Sequence, residues 1–353
     1  MANVEIVGTG SYLPGEPITN EELASVFGRE VIWLSEMLGA NTRHFAIDLA
    51  SLELRPGETN ASMSTRAARQ AILDADIDPL SIDLIVMATS TPDYPFPATA
   101  LFVQEQLGIP NCCVIELRAG CGGMAQAFLI ATHLIASGAS KKALLIGSDM
   151  ISPFISLFSK KTGDVDKELL VSLGMFGDGA GAIILSPGTG NGGVLDCMSR
   201  SISTGRSAAM LLRTGGALSP VGAPSVDERS EKVFYHDFQA IMRHGPELIQ
   251  AATQWVSEEK GLDLSEVDFI IPPQVNNRLI DLTSTAMGVP ATKIVSDFAR
   301  VGNTVSASIY ITLDKLNREG ALRPGQLLVL LPTEATKWIY GAVVIGWTKQ
   351  ARQ

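Results

Sequence analysis

The sequence predicts an α/β protein made of two similar halves. Two observations carry this: short apolar, β-rich runs alternate with helical periods, and the order of those segments recurs after about residue 190. The strand-like runs are continuously apolar rather than alternating, the pattern of strands covered on both faces.

Asp83–Ala88 reads as a strand, because a compact branched run lies between polar neighbours. By the same reasoning Pro97–Leu107 reads as a helix, Cys112–Leu117 as a strand, Gly122–Ser137 as a helix and Ala143–Gly147 as a strand. The second half offers a long helix from Phe238 to about Glu258, a strand at Asp268–Ile271, a helix after Asn303, and strands at Leu327–Leu331 and Gly341–Trp347.

The repetition extends to individual residues. Arg118-Ala119-Gly120-Cys121 aligns with Arg300-Val301-Gly302-Asn303, and each opens a helical stretch that closes 17 residues later at Gly-Ala, Gly138-Ala139 or Gly320-Ala321. Upstream, Leu80-Ser81-Ile82-Asp83 echoes Leu264-Ser265-Glu266-Val267-Asp268. Chance local similarity is the alternative. Two halves built alike would bring Cys121 and Asn303 face to face across a pseudo-twofold axis.

Composition narrows the function. With 353 residues there is chain for two sizeable cores, and 46% apolar against 18% charged residues is the reverse of a disordered composition. The formal charge of −10 comes without a basic stripe, which argues against nucleic acid. No run reaches the length of a membrane span, and Met1–Thr9 shows no signal-peptide pattern, so a cytoplasmic protein is expected. The four cysteines lack metal-site spacing, and Cys112, Cys113 and Cys197 are expected to be small buried apolar residues.

Cys121 is different. At a helix N-terminus the macrodipole favours a thiolate and lowers the thiol pKa, while Ala119, Gly120, Gly122 and Gly123 leave room for a carbonyl to approach. Cys121 is therefore the candidate nucleophile. Asn303 opposite it would be a neutral donor suited to a thioester or enolate oxygen.

These residues resemble the β-ketoacyl-acyl carrier protein synthase III branch of the thiolase superfamily. The resemblance covers nearly the whole chain, in the family's order: Val7-Gly-Thr-Gly-Ser-Tyr-Leu-Pro14 with Thr19-Asn20, Trp33, Ser64–Ala75, Asp83–Ser90, Arg118–Gly123, Phe176-Gly-Asp-Gly-Ala-Gly-Ala182, Pro272–Leu279 and Gly302-Asn303-Thr304. It implies a thiolase-like, duplicated αβαβα five-layered fold, with halves at 1–187 (carrying the nucleophile) and 188–353. It also implies a homodimer in which Phe96 enters the neighbouring subunit's acyl pocket; packing within its own chain is the alternative. Substrate contacts would come from Trp33, Phe96, Phe234 and Asn276. Acyl carrier protein or coenzyme A thioesters would supply the acyl group to Cys121, with no cofactor and no metal.

The sequence departs from that family in three places. Where the family carries Pro-His-Gln-Ala-Asn-x-Arg, this chain reads Pro272-Pro273-Gln274-Val275-Asn276-Asn277-Arg278, so Pro273 stands at the position of the catalytic histidine and brings no titratable group. The glycine-rich oxyanion turn corresponds to Thr333-Glu334-Ala335-Thr336-Lys337, which makes Thr336 and Cys121 the expected oxyanion-hole amides. Met37 stands where the coenzyme A clamp usually has an arginine.

A substitute base has few sources. His133 and His44 read as structural, and Glu105 as part of an exposed helix face. His236, beside Asp237 and after Val233-Phe234, could reach a thioester or could merely sit at the tunnel mouth or helix cap. Glu334 could act as a base if an apolar tunnel raises its pKa, and is otherwise a surface glutamate. The expectation is an acyl-Cys121 acyltransferase that passes its acyl group to a hydroxyl, amine or other acceptor. The alternatives are a decarboxylative condensation with a malonyl thioester using a non-standard base, and a non-catalytic partner subunit. Lys160-Lys161 or Arg243 could dock an acidic carrier protein despite the mean negative charge.

Overall fold

The computed structural model describes residues 3–155, 167–188, 190, 192–212, 215–217 and 234–350. Among the described residues nine strands form two main sheets. The first holds β1 (Val4–Tyr12), β2 (Leu84–Ala88), β3 (Cys113–Leu117), β4 (Ala143–Asp149) and β5 (Gly179–Pro187), in the order β1-β5-β4-β2-β3. The second holds β6 (Gly193–Ser201), β7 (Phe269–Ile271), β8 (Leu327–Leu330) and β9 (Ile339–Gly346), in the order β6-β9-β8-β7.

The sheets repeat one topology. In the first, β2 runs parallel to β4, while β5 is antiparallel to both β4 and β1. In the second, β7 runs parallel to β8, while β9 is antiparallel to both β8 and β6. The counterpart of the parallel pair β2–β3 is a single parallel bridge, Ile270 to Ile294.

The echo in the sequence marks equivalent structure. Short 3₁₀ turns capped by Asp78 and Asp263 lead into β2 and β7. Two more, Gly120–Gly122 and Val305–Ala307, lead into helices α3 (Gly123–Ala136) and α6 (Ser308–Arg318). Each helix is bracketed by left-handed glycines at matching places: Gly120 and Gly138, with φ of 46° and 78°, against Gly302 and Gly320, with 67° and 65°.

The helices complete five layers. α1 (Asn60–Ala75) covers the outer face of the first sheet, with α2 (Thr99–Leu107) beside it. α3 and α6 lie between the sheets, and α4 (Phe238–Gln254) with α5 (Arg278–Met287) covers the outer face of the second. The middle core joins both halves, Phe128 and Leu145 with Leu313, Val343 and Trp347. α6 reaches β4 and β5 because both are glycine at the contact. A Cβ on Gly147 would lie 2.2 Å from the Ser306 carbonyl oxygen, and one on Gly181 2.3 Å from the Tyr310 Cβ. Those two glycines bring the Asn303 turn down onto the first half.

Element ends differ slightly from expectation. α2 begins at Thr99 because Ala98 is extended, and the long second-half helix leaves α geometry at Trp255 for a π turn to Glu259. Cys113 is exposed, contrary to expectation, because it opens the edge strand β3; Cys112 is half-buried and Cys197 buried. Among the described residues no helix is long and apolar enough to cross a membrane, and no cluster could hold a metal ion.

Candidate active site

The turn before α3 fixes Cys121. A Cβ on Gly123 would lie 2.4 Å from that of Ala88, so only glycine lets the turn press against the end of β2. The Cys121 backbone N–H and the Asn303 side chain both act to lower the pKa of the thiol.

Asn303 is locked in place. Its backbone N–H donates to the Met175 carbonyl at 2.8 Å and its carbonyl accepts from Gly177 N–H at 3.1 Å. Its Oδ1 accepts from the Val305 N–H at 2.8 Å and the Ser308 hydroxyl at 3.2 Å, which leaves the amide NH₂ to serve the site. The two turns that sequence repetition paired therefore meet, and their central residues touch.

Asp149 stitches this junction from beneath, at the carboxyl end of β4. Its buried carboxylate accepts from Ser90 N–H at 2.7 Å, Thr91 Oγ1 at 2.9 Å and Ser306 N–H at 3.1 Å. Sequence reading missed Asp149. The available signal was its position at the end of a predicted buried strand, where α/β sheets place their crevices.

Glu334 is the second carboxylate. It is 3% exposed, and its Cγ would lie 2.9 Å from a Cβ on Gly120, so it rests directly on the Cys121 turn. Burial pushes Glu334 up to about 7, against the N–H donors of Lys337, Thr336 and Ile339. The surface-loop alternative is thereby excluded. The Thr336 amide donates to the Glu334 carboxylate, so the expected oxyanion-hole role of Thr336 does not hold; a carboxylate occupies the donor first.

The expected low thiol pKa does not hold either. Burial, followed by the charges of Glu334 and Asp149, raises the Cys121 thiol, and the hydrogen bonds from its own backbone and Asn303 only partly oppose this. These effects favour the thiol of the half-buried Cys121 over the thiolate, and a proton acceptor beside it would offset them.

An apolar cavity of about 330 Å³ opens from this cluster, within the range of small-molecule sites. Ile155, Leu169, Met175, Leu248, Ile249 and Leu279 line its body, and Cys121, Asn303, Glu334, Ser90 and Thr91 its polar end. Pro273 and Asn276 also line it. Gln274 turns inward instead, accepting from Asp297 N–H at 2.7 Å and Ser296 Oγ at 2.9 Å and donating to the Pro272 carbonyl at 2.8 Å.

His236 lines the cavity too, packed against Phe176 and Phe238, and burial drives it down to about 4. Its ring is neutral near pH 7. Asp237 caps α4 by accepting from Ala240 N–H at 2.9 Å. His44 is buried against the Pro14 and Gly15 carbonyls, whereas His133 and Glu105 are exposed, as expected of structural and surface groups.

The remaining expected contacts are at the surface. Trp33 is 63% and Phe96 86% exposed, and neither is part of the cavity lining. The Phe234 backbone pairs with Leu212, while its side chain, Val233 and Lys160-Lys161 lie outside the described residues. Arg243 is exposed on α4.

Two family descriptions match the chain: 3-oxoacyl-[acyl-carrier-protein] synthase III over residues 115–205, and the C terminal part of the same synthase over 257–347. The beta-ketoacyl-[acyl-carrier-protein] synthase III of Rhizorhabdus wittichii is 34% identical over 94% of this chain and 95% of its own. That of Clostridium acetobutylicum is 30% identical over 99% of this chain and 100% of its own. Among solved structures, the tetronic acid condensing enzyme AbyA1 is similar with a TM-score of 0.84 at 28% identity, covering 97% of this chain and 99% of that one. The 3-oxoacyl-(acyl carrier protein) synthase III of Pseudomonas aeruginosa gives 0.81 at 28%, covering 99% and 100%.

Proposed function

The chain belongs to the 3-oxoacyl-[acyl-carrier-protein] synthase III family, and from that premise we propose that it is an acyltransferase which loads an acyl group on Cys121 and discharges it to a hydroxyl or amine acceptor. The observation that carries this reading is Glu334, a buried carboxylate that rests on the Cys121 turn; it shares the cavity with Pro273, the residue that the resemblance matches to the family's histidine.

The residues divide the work as follows. Glu334 takes the Cys121 proton as sulfur attacks the thioester carbonyl; the carbon–sulfur bond to the carrier breaks, and the leaving thiolate recovers the proton. In the second half, Glu334 takes the proton of the acceptor O–H or N–H as that atom attacks the acyl carbon. The bond to Cys121 breaks, and the thiolate is reprotonated. The Asn303 amide and the Cys121 N–H serve the developing oxyanion.

Malonyl decarboxylation fits this site poorly. It leaves an enolate that needs donors, and Pro273 adds no side-chain donor to the Asn303 amide and the Cys121 N–H. A Glu334 carboxylate would also repel the malonyl carboxylate. His236 is a weaker candidate for the base, because at about 4 it holds a proton less readily than Glu334 at about 7. The acyl donor is an acyl carrier protein or coenzyme A thioester, with Arg243 available to an acidic carrier. The exposed Phe96 suits a homodimer in which it enters the neighbouring copy's cavity.

The test is intact mass after incubation with a graded series of acyl-coenzyme A and acyl-carrier thioesters, followed by a chase with small alcohols and primary amines. A Cys121-dependent adduct that disappears into an ester or amide is the expected result. An adduct absent from wild type, or present equally in Cys121→Ala, rejects the reading.

A further inference from the structure

Trp338 is a bulky, non-glycine residue in the left-handed region, with φ of 66°, and it is 1% exposed. Such a conformation is costly for a residue with a Cβ and persists only where surrounding contacts hold it. Here the contacts are extensive. The indole Nε1–H donates to the Ser207 carbonyl at 2.8 Å, the Arg206 guanidinium lies 5.7 Å from the ring centroid, and the His244 ring meets it edge-on at 5.4 Å. Glu247 joins Arg206 to His244. Backbone bonds add to the clamp: Ile202 N–H to the Trp338 carbonyl and Ala209 N–H to the Thr336 carbonyl, each at 2.9 Å.

Trp338 closes a turn that carries the site. Glu334 and Ile339 exchange both backbone hydrogen bonds at 2.8 Å, so Trp338 is the last residue of a four-residue loop, and a left-handed residue there lets the chain turn back. The loop is held on two sides. Glu334 and Ile339 press on Gly120 and Gly122, while Trp338 is anchored in the segment Ile202–Ala209 and in α4.

We propose that Trp338 is a positioning residue for Glu334: its clamped, left-handed conformation holds the loop so that the Glu334 carboxylate stays dry and seated on the Cys121 turn. A glycine would close the same loop with less strain and would leave it free to move. The function assigned to this position rests on the reading of Glu334 as proton acceptor. The charged and titratable groups that share the cavity with Glu334 are Cys121, neutral His236 and Arg278; Asp149 acts on Cys121, and the Lys337 ammonium turns away to the Arg206 carbonyl at 3.0 Å.

The test uses Trp338→Gly, Trp338→Phe, Glu334→Gln and the double variant Trp338→Gly/Glu334→Gln in the full chain. Two readouts are followed, discharge of acyl-Cys121 and the pH profile of Cys121 alkylation by iodoacetamide. Trp338→Gly is expected to slow discharge about tenfold, Trp338→Phe to stay close to wild type, and Trp338→Gly to add nothing once Glu334 is Gln. In the alkylation profile, the Glu334 inflection falls from about 7 toward the ordinary carboxylate range in Trp338→Gly, because water reaches the side chain. An unshifted inflection, or the same slowing with and without Glu334, overturns the proposal. If Glu334→Gln discharges at the wild-type rate, the base reading fails and the alkylation inflection alone decides the positioning claim. Should Trp338→Gly fail to fold, Arg206→Gln, which removes the cation over the ring, is expected to shift the inflection in the same direction; no shift counts against the proposal.

Discussion

Glu334 lies on the glycine that precedes Cys121: its Cγ would be 2.9 Å from a Cβ on Gly120. Gly120 has φ of 46°, so a side chain there would be both strained and obstructed, and the glycine is what admits a carboxylate beside Cys121. The contact has consequences for reactivity, stability and substrate choice.

Cys121 reactivity depends on the charge of Glu334. Because that carboxylate raises the thiol, Glu334→Gln is expected to speed alkylation of Cys121 by iodoacetamide at pH 8 several-fold, about what the loss of one nearby negative charge gives. The check is the rate of mass increase at Cys121. An unchanged rate would show that Glu334 does not act on the thiol, and a slower rate that its service as proton acceptor outweighs its charge.

Stability varies with pH through two opposed groups. Glu334 has a folded pKa of about 7 against an ordinary 4.5, so the folded state keeps a proton that the unfolded chain has released, and stability falls as pH rises between those values. His236 is depressed to about 4 from 6.5, so its contribution is present above pH 6.5 and lost as pH falls toward 4. Urea midpoints should show this. Glu334→Gln removes the loss above pH 7 and is expected to stabilise there by on the order of 3 kcal/mol, while His236→Phe removes the loss at low pH.

Gly123→Ala tests the packing beneath Cys121. A methyl at 2.4 Å from the Ala88 Cβ forces β2 and the turn apart, with an expected cost of about 1–3 kcal/mol and a lower melting temperature. Acylation should slow further than the stability loss explains, because Cys121 moves with the turn. A variant with the wild-type melting temperature would contradict the close contact.

On the proposed acyl-enzyme reading, cavity length is expected to set the acyl group. Leu279→Trp places a larger side chain in the apolar wall, so the preferred thioester is expected to shorten while loading of acetyl stays close to wild type. Competition among thioesters of graded length, read by intact mass, measures this.

Much of the architecture was legible because the repeat is written in residue types that backbone geometry demands. Gly120 and Gly302, and again Gly138 and Gly320, are the left-handed positions around the two central helices, so aligning them paired Cys121 with Asn303 correctly. Charge was harder to read. A helix start argued for a low thiol pKa, but burial and two carboxylates outweigh it, and Asp149 is close to Cys121 only after β4 and the Ser306 turn meet. Thr336 was misassigned for a similar reason: sequence located the turn, while the direction of its N–H depended on where the Glu334 side chain lies. Cys113 was misjudged because an edge strand and a central strand can share the same apolar run.

The most direct measurement follows acyl-Cys121 mixed with malonyl carrier protein labelled in its free carboxylate. The account expects no release of labelled carbon dioxide above the Cys121→Ala blank, and an acyl-enzyme that remains intact until a hydroxyl or amine acceptor is added. Labelled carbon dioxide released in step with loss of the adduct, accompanied by a β-ketoacyl product, would contradict it and make carbon–carbon condensation the activity of this site.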